Sequence, residues 1–152
     1  MTLYRRFSDV TSVMAALMTR EFTELLGDAA KTASGQPDAR RALVTSAVAG
    51  VRALWTNPLM TSVLEHDPEL LLPYLVERIG STQRLIEEVL VEQVGAGHRD
   101  GSIRAGDPDL QARAIFLTAQ AFVVSHRPAT AEQDGDALLT ELATILDRSL
   151  AA

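Results

Sequence analysis

Apolar residues recur at intervals of three and four positions in several separate stretches of the chain. This is the period of one face of an α-helix. The first stretch predicts a long helix over 9–26, capped by Ser8 or Asp9, and the small and polar residues of 27–36 predict a loop. A second helix is predicted over 40–56, and Asn57-Pro58 ends it and begins a short third helix.

The second half of the chain continues the helical pattern with two interruptions. A helical stretch over 69–94 is broken at Pro73, because proline cannot donate a helical hydrogen bond, and Gly95-Ala96-Gly97 is predicted to end it. Asp107-Pro108 begins another helix, and the last helix begins between 130 and 137. No stretch alternates apolar and polar residues as a strand does, so the prediction is an all-α fold of six to eight helices.

Composition narrows the class of protein. The 152 residues include 14 basic and 20 acidic side chains, a net charge of −6, and no cysteine. Without cysteine there are no disulfides or zinc–thiolate sites, which is consistent with a reducing compartment, and we expect a cytoplasmic protein. No apolar run reaches the roughly 20 residues that a membrane helix needs, and no signal peptide is recognisable, so no membrane partner is expected.

Candidate catalytic chemistry is sparse. His66, His98 and His126 each stand near a predicted helix end, without a second ligand at metal-binding spacing. Glu87, Glu88 and Glu92 form a carboxylate cluster, but it lies opposite the apolar stripe of its helix and is interpreted as a solvated face. No nucleophile is spaced with a base. We therefore expect no enzyme activity, no metal and no cofactor.

The N-terminal residues Thr2-Leu3-Tyr4-Arg5-Arg6-Phe7, followed by a cap and an apolar helix, carry a family resemblance. They resemble the junction in TetR (tetracycline-repressor) transcriptional regulators, where a Tyr-x-x-Phe turn closes the DNA-recognition helix. The resemblance implies that 1–7 is a remnant of that helix and 8–152 a ligand-binding and dimerisation domain. It makes Thr2, Tyr4, Arg5 and Arg6 candidate DNA-binding residues, the arginines as phosphate contacts. From charge alone, Arg5 and Arg6 could equally form a solvated helix end.

The resemblance extends towards the C-terminus. Asp100-Gly101-Ser102-Ile103-Arg104, and then Gly106-Asp107-Pro108 before an alanine-rich helix, are similar to the run that precedes the dimerisation helices of that family. It implies a homodimer through the last two helices, about 107–127 and 131–150. Their wide apolar coverage has a second explanation, which is burial within the monomer.

Two features depart from the family pattern. A helix-turn-helix needs a first helix to hold the recognition helix in the groove, and the sequence begins inside the part that resembles the recognition helix. We therefore expect operator DNA to be bound only by an intact form, and weakly or not at all by these 152 residues. Val10 stands where the family often has a lysine, and valine cannot contact a phosphate.

Large and adaptable side chains mark a candidate site for a small apolar ligand. Methionine fills irregular gaps and aromatic rings form pocket walls, although a plain packed core would use the same residues. In the resembling family, ligands bind between the linking helix and the kinked helices. The candidate ligand-binding residues are Met14, Met18, Phe22, Trp55, Met60 and Tyr74.

Two functions therefore remain open. The first is the ligand-sensing and homodimerising domain of a TetR-like transcriptional repressor, in which a ligand changes the tilt of helix 9–26 and hence the spacing of two recognition helices. The alternative is a helical dimerisation or interaction module without DNA binding, which could titrate a full-length relative. An acidic body, with a net charge of −8 outside the first seven residues, would meet nucleic acid only at its N-terminal end.

Overall fold

The computed structural model describes residues 10–73 and 80–152, without the side chains at positions 10, 11 and 14. The described residues form α-helices and a short 3-10 helix at Pro68–Leu70, and no strand, so the all-α prediction is confirmed. The helices are α1 (Val10–Thr32), α2 (Ala39–Thr56), α3 (Pro58–His66), α4 (Ser81–Asp100), α5 (Pro108–Val124), α6 (His126–Thr130) and α7 (Gly135–Leu150).

Helix α2 is the centre of the bundle, because it contacts α1, α4, α5 and α7. Its buried face carries Leu43, Val44 and Val51. Helix α7 closes one side of the core with Leu139, Leu142, Leu146 and Leu150, each at most 2% exposed. The spacing of these leucines, three or four residues apart, is the periodicity that predicted the helix.

Short polar side chains begin the helices where the sequence predicted them. The Asn57 side chain accepts from the Met60 N–H (2.9 Å), with Pro58 at the first helical position of α3. The Asp107 side chain accepts from the Asp109 and Leu110 N–H groups at the start of α5, again followed by a proline. The start of α7, which the sequence left open, is fixed by Asp134, whose side chain accepts from the Ala137 N–H. Each cap satisfies an N–H group that has no partner within its helix.

The predicted loop over 27–36 is wrong in its first half, because α1 continues through Gly27 to Thr32. Ala29, on this additional turn, is only 6% exposed and packs at the backbone of Gly50 in α2. Contact with α2 therefore outweighs the helix-weakening effect of one glycine, which is about 1 kcal/mol.

The predicted end of a helix at Gly95-Ala96-Gly97 is also wrong, because α4 continues to Asp100. The helix ends at Gly101, whose φ of 75° lies in the left-handed region that glycine adopts without strain. Gly97 has a packing role instead. A Cβ atom there would overlap the side chain of Ile103, which is 3% exposed.

Residues 100–104 connect the ends of three helices. Asp100 accepts from the Ala39 N–H (2.8 Å), and the Ser102 hydroxyl accepts from the Arg40 N–H (3.1 Å), so both serve the start of α2. Hydrogen bonds from Ser102 and from the Ala39 N–H lower the pKa of the Asp100 carboxyl. Arg104 donates its backbone N–H to the Leu150 carbonyl at the end of α7 (2.9 Å). The polar turn predicted here thus connects the end of α4 to the start of α2 and to the end of α7.

Candidate ligand-binding cavity

A cavity of about 270 Å³ lies between α1 on one side and α2, α4 and α5 on the other. One whole face of α1, the helix that the sequence predicted as the link to the DNA-recognition helix, lines the cavity. The α1 residues that line it are Ala15, Met18, Thr19, Phe22, Leu25, Leu26, Ala29 and Ala30.

The opposite walls are mostly apolar. Side chains from α2, α3, α4 and α5 converge on the space, and several of them belong to the buried core. This combination of an apolar wall with few polar groups is typical of small-molecule sites. The apolar residues on these walls include Val51, Leu54, Met60, Ile86, Leu90, Ile115, Phe116 and Val123.

Polar groups gather at one end of the cavity, where α4 begins. The hydroxyl groups of Thr19 on α1 and Thr82 on α4 are 3.0 Å apart and share a hydrogen bond. Beside them, the Gln83 side chain donates to the Gln120 side-chain oxygen on α5 (2.9 Å) and accepts from the Gly80 N–H (2.7 Å). We call Thr19, Thr82, Gln83 and Gln120 the polar cluster.

A second, weaker polar contact lies on another wall. The Gln93 side chain of α4 is 3.5 Å from the Ser46 hydroxyl of α2, which itself donates to the Leu43 carbonyl. No Asp, Glu, Lys, Arg or His is among the lining residues in the described part of the chain. Within the described residues there is also no group of three or more side chains able to hold a metal ion. The described walls of the cavity thus offer shape and neutral hydrogen bonds, which are means of binding a small molecule.

Apolar side chains are also exposed on the outer surface of α5 and α7. Leu110 is 69% exposed, Leu117 52% and Ile145 48%. Leu110 and Leu117 follow one face of α5 together with the exposed Ala114 and Ala121, and we call these four residues the α5 stripe. Other alanines of α5 are not on this surface, since Ala112 is buried in the monomer and Ala119 lines the cavity.

Comparison with known proteins identifies relatives of the chain. No protein-family model matches it. It is 33% identical over 146 residues to the uncharacterized HTH-type transcriptional regulator Rv2250c of Mycobacterium tuberculosis, covering 96% of this chain and 74% of the relative. The same identity and coverage hold for the HTH-type regulator Mb2274c of Mycobacterium bovis. The chain belongs to the HTH-type (helix-turn-helix) transcriptional regulators.

The fold of this regulator is also found in a solved structure. The transcriptional regulator FadR from Bacillus subtilis, crystallised in complex with stearoyl-CoA, superimposes with a TM-score of 0.74. The match covers 98% of this chain and 81% of FadR at 17% sequence identity, which establishes the shared helical fold. The relatives are transcriptional regulators, which are not enzymes. No helix among the described residues is long and apolar enough to cross a membrane.

The structure brings together three of the predicted ligand-binding residues of the regulator. Met18 and Phe22 line the cavity from α1, and Met60 lines it from α3. The side chain of Met14 and the whole of Tyr74 lie outside the described residues. So do the predicted DNA-binding residues Thr2, Tyr4, Arg5 and Arg6, together with the predicted N-terminal cap.

Trp55, another predicted ligand-binding residue, does not line this cavity. Its ring stacks on His126 with centroids 4.3 Å apart, and its indole N–H donates to the Phe122 carbonyl (3.0 Å). Its neighbour Leu54 faces the cavity, and successive residues of a helix point about 100° apart. Trp55 therefore fastens the end of α2 to the α5–α6 junction. Burial there lowers the pKa of His126.

The polar cluster was missed by sequence reasoning. Only one signal pointed to it. Gln120 is the single amide in the run from Phe116 to Val124 of α5, whose only other polar side chain, Thr118, donates to the Ala114 carbonyl of its own helix. A polar residue on a helix that is apolar nearly all round has to meet either another buried polar group or a ligand. Thr19, Thr82 and Gln83 carry no comparable signal, because each resembles an ordinary surface residue of its helix.

Proposed function

We propose that 8–152 is the ligand-sensing and homodimerising domain of a TetR-like transcriptional repressor. The observation that carries this proposal is the apolar cavity along α1, the helix next to the residues that resemble a DNA-recognition helix. We further propose that 1–7 belongs to that recognition helix. Thr2, Tyr4, Arg5 and Arg6 would then face operator DNA in a form that holds a complete helix-turn-helix.

The sensing mechanism follows from the position of α1. One face of α1 packs against α2, while Met18 and Phe22 face the cavity, so a ligand there contacts the linking helix directly. A ligand that binds one tilt of α1 more tightly than another shifts the population by the ratio of the two affinities. In the proposed mechanism this shift moves the recognition helix.

Homodimerisation is supported by the α5 stripe and by Ile145 on α7. Exposed apolar side chains on both of the helices predicted to dimerise are typical of an interaction surface, and a two-fold dimer is the commonest closed assembly. Two recognition helices have to be about 34 Å apart to enter successive major grooves. A change in the tilt of both α1 helices alters that separation.

The ligand is proposed to be a small apolar molecule. The walls of the cavity support this, since side chains such as Phe22, Ile86 and Phe116 offer dispersion contacts and exclude water. The stearoyl-CoA held by B. subtilis FadR is an example of an apolar chain bound by a regulator of the same fold.

The test measures the separation of the two α1 helices with nitroxide labels. The chain contains no cysteine, so Glu24→Cys on the exposed face of α1 places one label on each protomer. The probe ligand is N-phenyl-1-naphthylamine, an uncharged apolar dye whose fluorescence reports binding. We expect a dipolar coupling between the protomers and a shift of several ångströms in the distance distribution when the dye binds.

The matched control is Glu132→Cys, in the exposed segment between α6 and α7, whose distance distribution is expected to stay constant. Absence of coupling in both variants would contradict the dimer. Coupling that is unchanged at saturating dye would contradict the sensing mechanism, and absence of dye binding would contradict the ligand site.

A further inference from the structure

The hydrogen bonds of the polar cluster fix the orientation of two amide groups. A backbone N–H can only donate, so the contact from the Gly80 N–H identifies the Gln83 side-chain atom at 2.7 Å as the oxygen. The Gln83 NH₂ group is therefore the one directed at α5, and the Gln120 atom at 2.9 Å from it is an oxygen. The oxygen of the Gln120 amide is thus occupied, and its NH₂ group is left to donate elsewhere.

That NH₂ group has no acceptor among the described residues, although Gln120 is half-buried and lines the cavity. An amide donor at the wall of an apolar cavity can fix the orientation of a ligand that carries an acceptor. The two N–H bonds of the Gln120 amide can therefore donate to a ligand in the cavity, whose walls are mostly apolar.

The absence of charge restricts the chemistry of that acceptor. No ionisable side chain lines the described part of the cavity, so these walls offer a carboxylate or an ammonium group no counter-ion. Burying an unpaired charge is far more costly than burying a neutral polar group. A neutral carbonyl oxygen meets the Gln120 donor without this cost.

We propose that the cavity selects uncharged molecules with an apolar body and one carbonyl acceptor, such as a ketone or an ester, which accepts a hydrogen bond from the Gln120 amide. The inference rests on the proposed function, because it assumes that the cavity is the ligand site. Gln83, which bonds to Gln120, follows Thr82 in the chain, so an acceptor at Gln120 would lie on the side of the cavity where the Thr19–Thr82 bond joins α1 to α4.

The experiment compares four probes of similar apolar size on the whole chain: 2-octanone, n-octane, octanoate and octylammonium. Each is measured by its displacement of N-phenyl-1-naphthylamine at pH 7.5. We expect 2-octanone to bind at least tenfold more tightly than octanoate and octylammonium. In Gln120→Leu, we expect the affinity for 2-octanone to fall about fivefold, as the loss of one neutral hydrogen bond implies, while that for n-octane is retained.

Retained dye binding shows that Gln120→Leu is folded, and Gln133→Leu, at an exposed position outside the cavity, is the matched control. Octanoate or octylammonium binding as tightly as 2-octanone overturns the selection for uncharged ligands. An equal loss for 2-octanone and n-octane in Gln120→Leu assigns Gln120 to packing alone and overturns the carbonyl contact. Failure of the dye and all four probes to bind the unmodified chain contradicts the proposed function itself.

Discussion

Single residues decide how closely the helices and loops approach each other. Gly97 is the clearest case, because the side chain of Ile103 occupies the space where a Cβ atom would stand. The Ile103 N–H donates to the Gly97 carbonyl (3.0 Å), so the backbone of the loop is held at the same point. Gly97, which the sequence predicted as part of a helix end, thus lies within α4 and leaves the space against which Ile103 packs.

We predict that Gly97→Ala lowers the free energy of unfolding by about 1–3 kcal/mol, the usual cost of overpacking a close contact. Gly95→Ala on the same helix is the control, because its Cβ would meet only the flexible end of the Arg99 side chain at 3.3 Å. There we expect no loss, or a gain of up to about 1 kcal/mol from helix propensity. Urea denaturation followed by circular dichroism measures both, and equal effects of the two variants would contradict the packing role.

At the scale of elements, α1 packs more extensively against one helix of the bundle than against the others. Its packing with α2 is extensive, whereas the cavity separates much of it from α4 and α5. The Thr19–Thr82 hydrogen bond crosses to α4 at the end of the cavity. This bond is therefore placed to set the position of α1 when the cavity is empty.

We predict that Thr19 and Thr82 are energetically coupled by about 0.5–1.5 kcal/mol, the net value of a neutral hydrogen bond. The measurement is a double-mutant cycle with Thr19→Val, Thr82→Val and the double variant, using the free energy of unfolding. Thr23→Val combined with Thr82→Val is the control pair, since the Thr23 hydroxyl donates to the Thr19 carbonyl of its own helix. Additive effects at Thr19 and Thr82 would mean that the bond does not join the two helices in solution.

Element boundaries illustrate where sequence reasoning succeeds. The starts at Asn57-Pro58 and Asp107-Pro108 were predicted because a cap depends on residues within one turn of it. The end predicted at Gly27 was wrong because the next turn of α1 packs against α2, where Ala29 lies at Gly50. The end predicted at Gly97 was wrong because that glycine lies inside α4 and leaves space for the side chain of Ile103.

At the scale of the whole molecule, three of the seven exposed large apolar side chains among the described residues lie on α5 and α7. The α5 stripe and Ile145 present aliphatic groups to solvent, although the core already contains the opposite faces of α5 and α7. The monomer therefore accounts for only part of the wide apolar coverage seen in the sequence. The remainder is the surface proposed for the second protomer.

We predict that Leu117→Glu weakens dimerisation at least tenfold, because it buries an unpaired carboxylate in the proposed interface. The fold of the monomer should persist, since Leu117 is 52% exposed. Leu72→Glu is the matched control, with 53% exposure at a position outside α5 and α7. Sedimentation velocity over a range of concentrations measures the mass, and an unchanged dimer in Leu117→Glu would place the interface elsewhere.

The sequence by itself determined the all-α fold, the helix caps at Asn57 and Asp107, and the apolar face of α1 with Met18 and Phe22. These features depend on residues within a few positions of each other, so periodicity and capping chemistry are sufficient to find them. Only the tertiary structure decided that Trp55 faces His126 rather than the cavity, and that Gln83 and Gln120 meet across α4 and α5. Those contacts join residues that are far apart in the chain, and their positions follow from how the helices pack around α2.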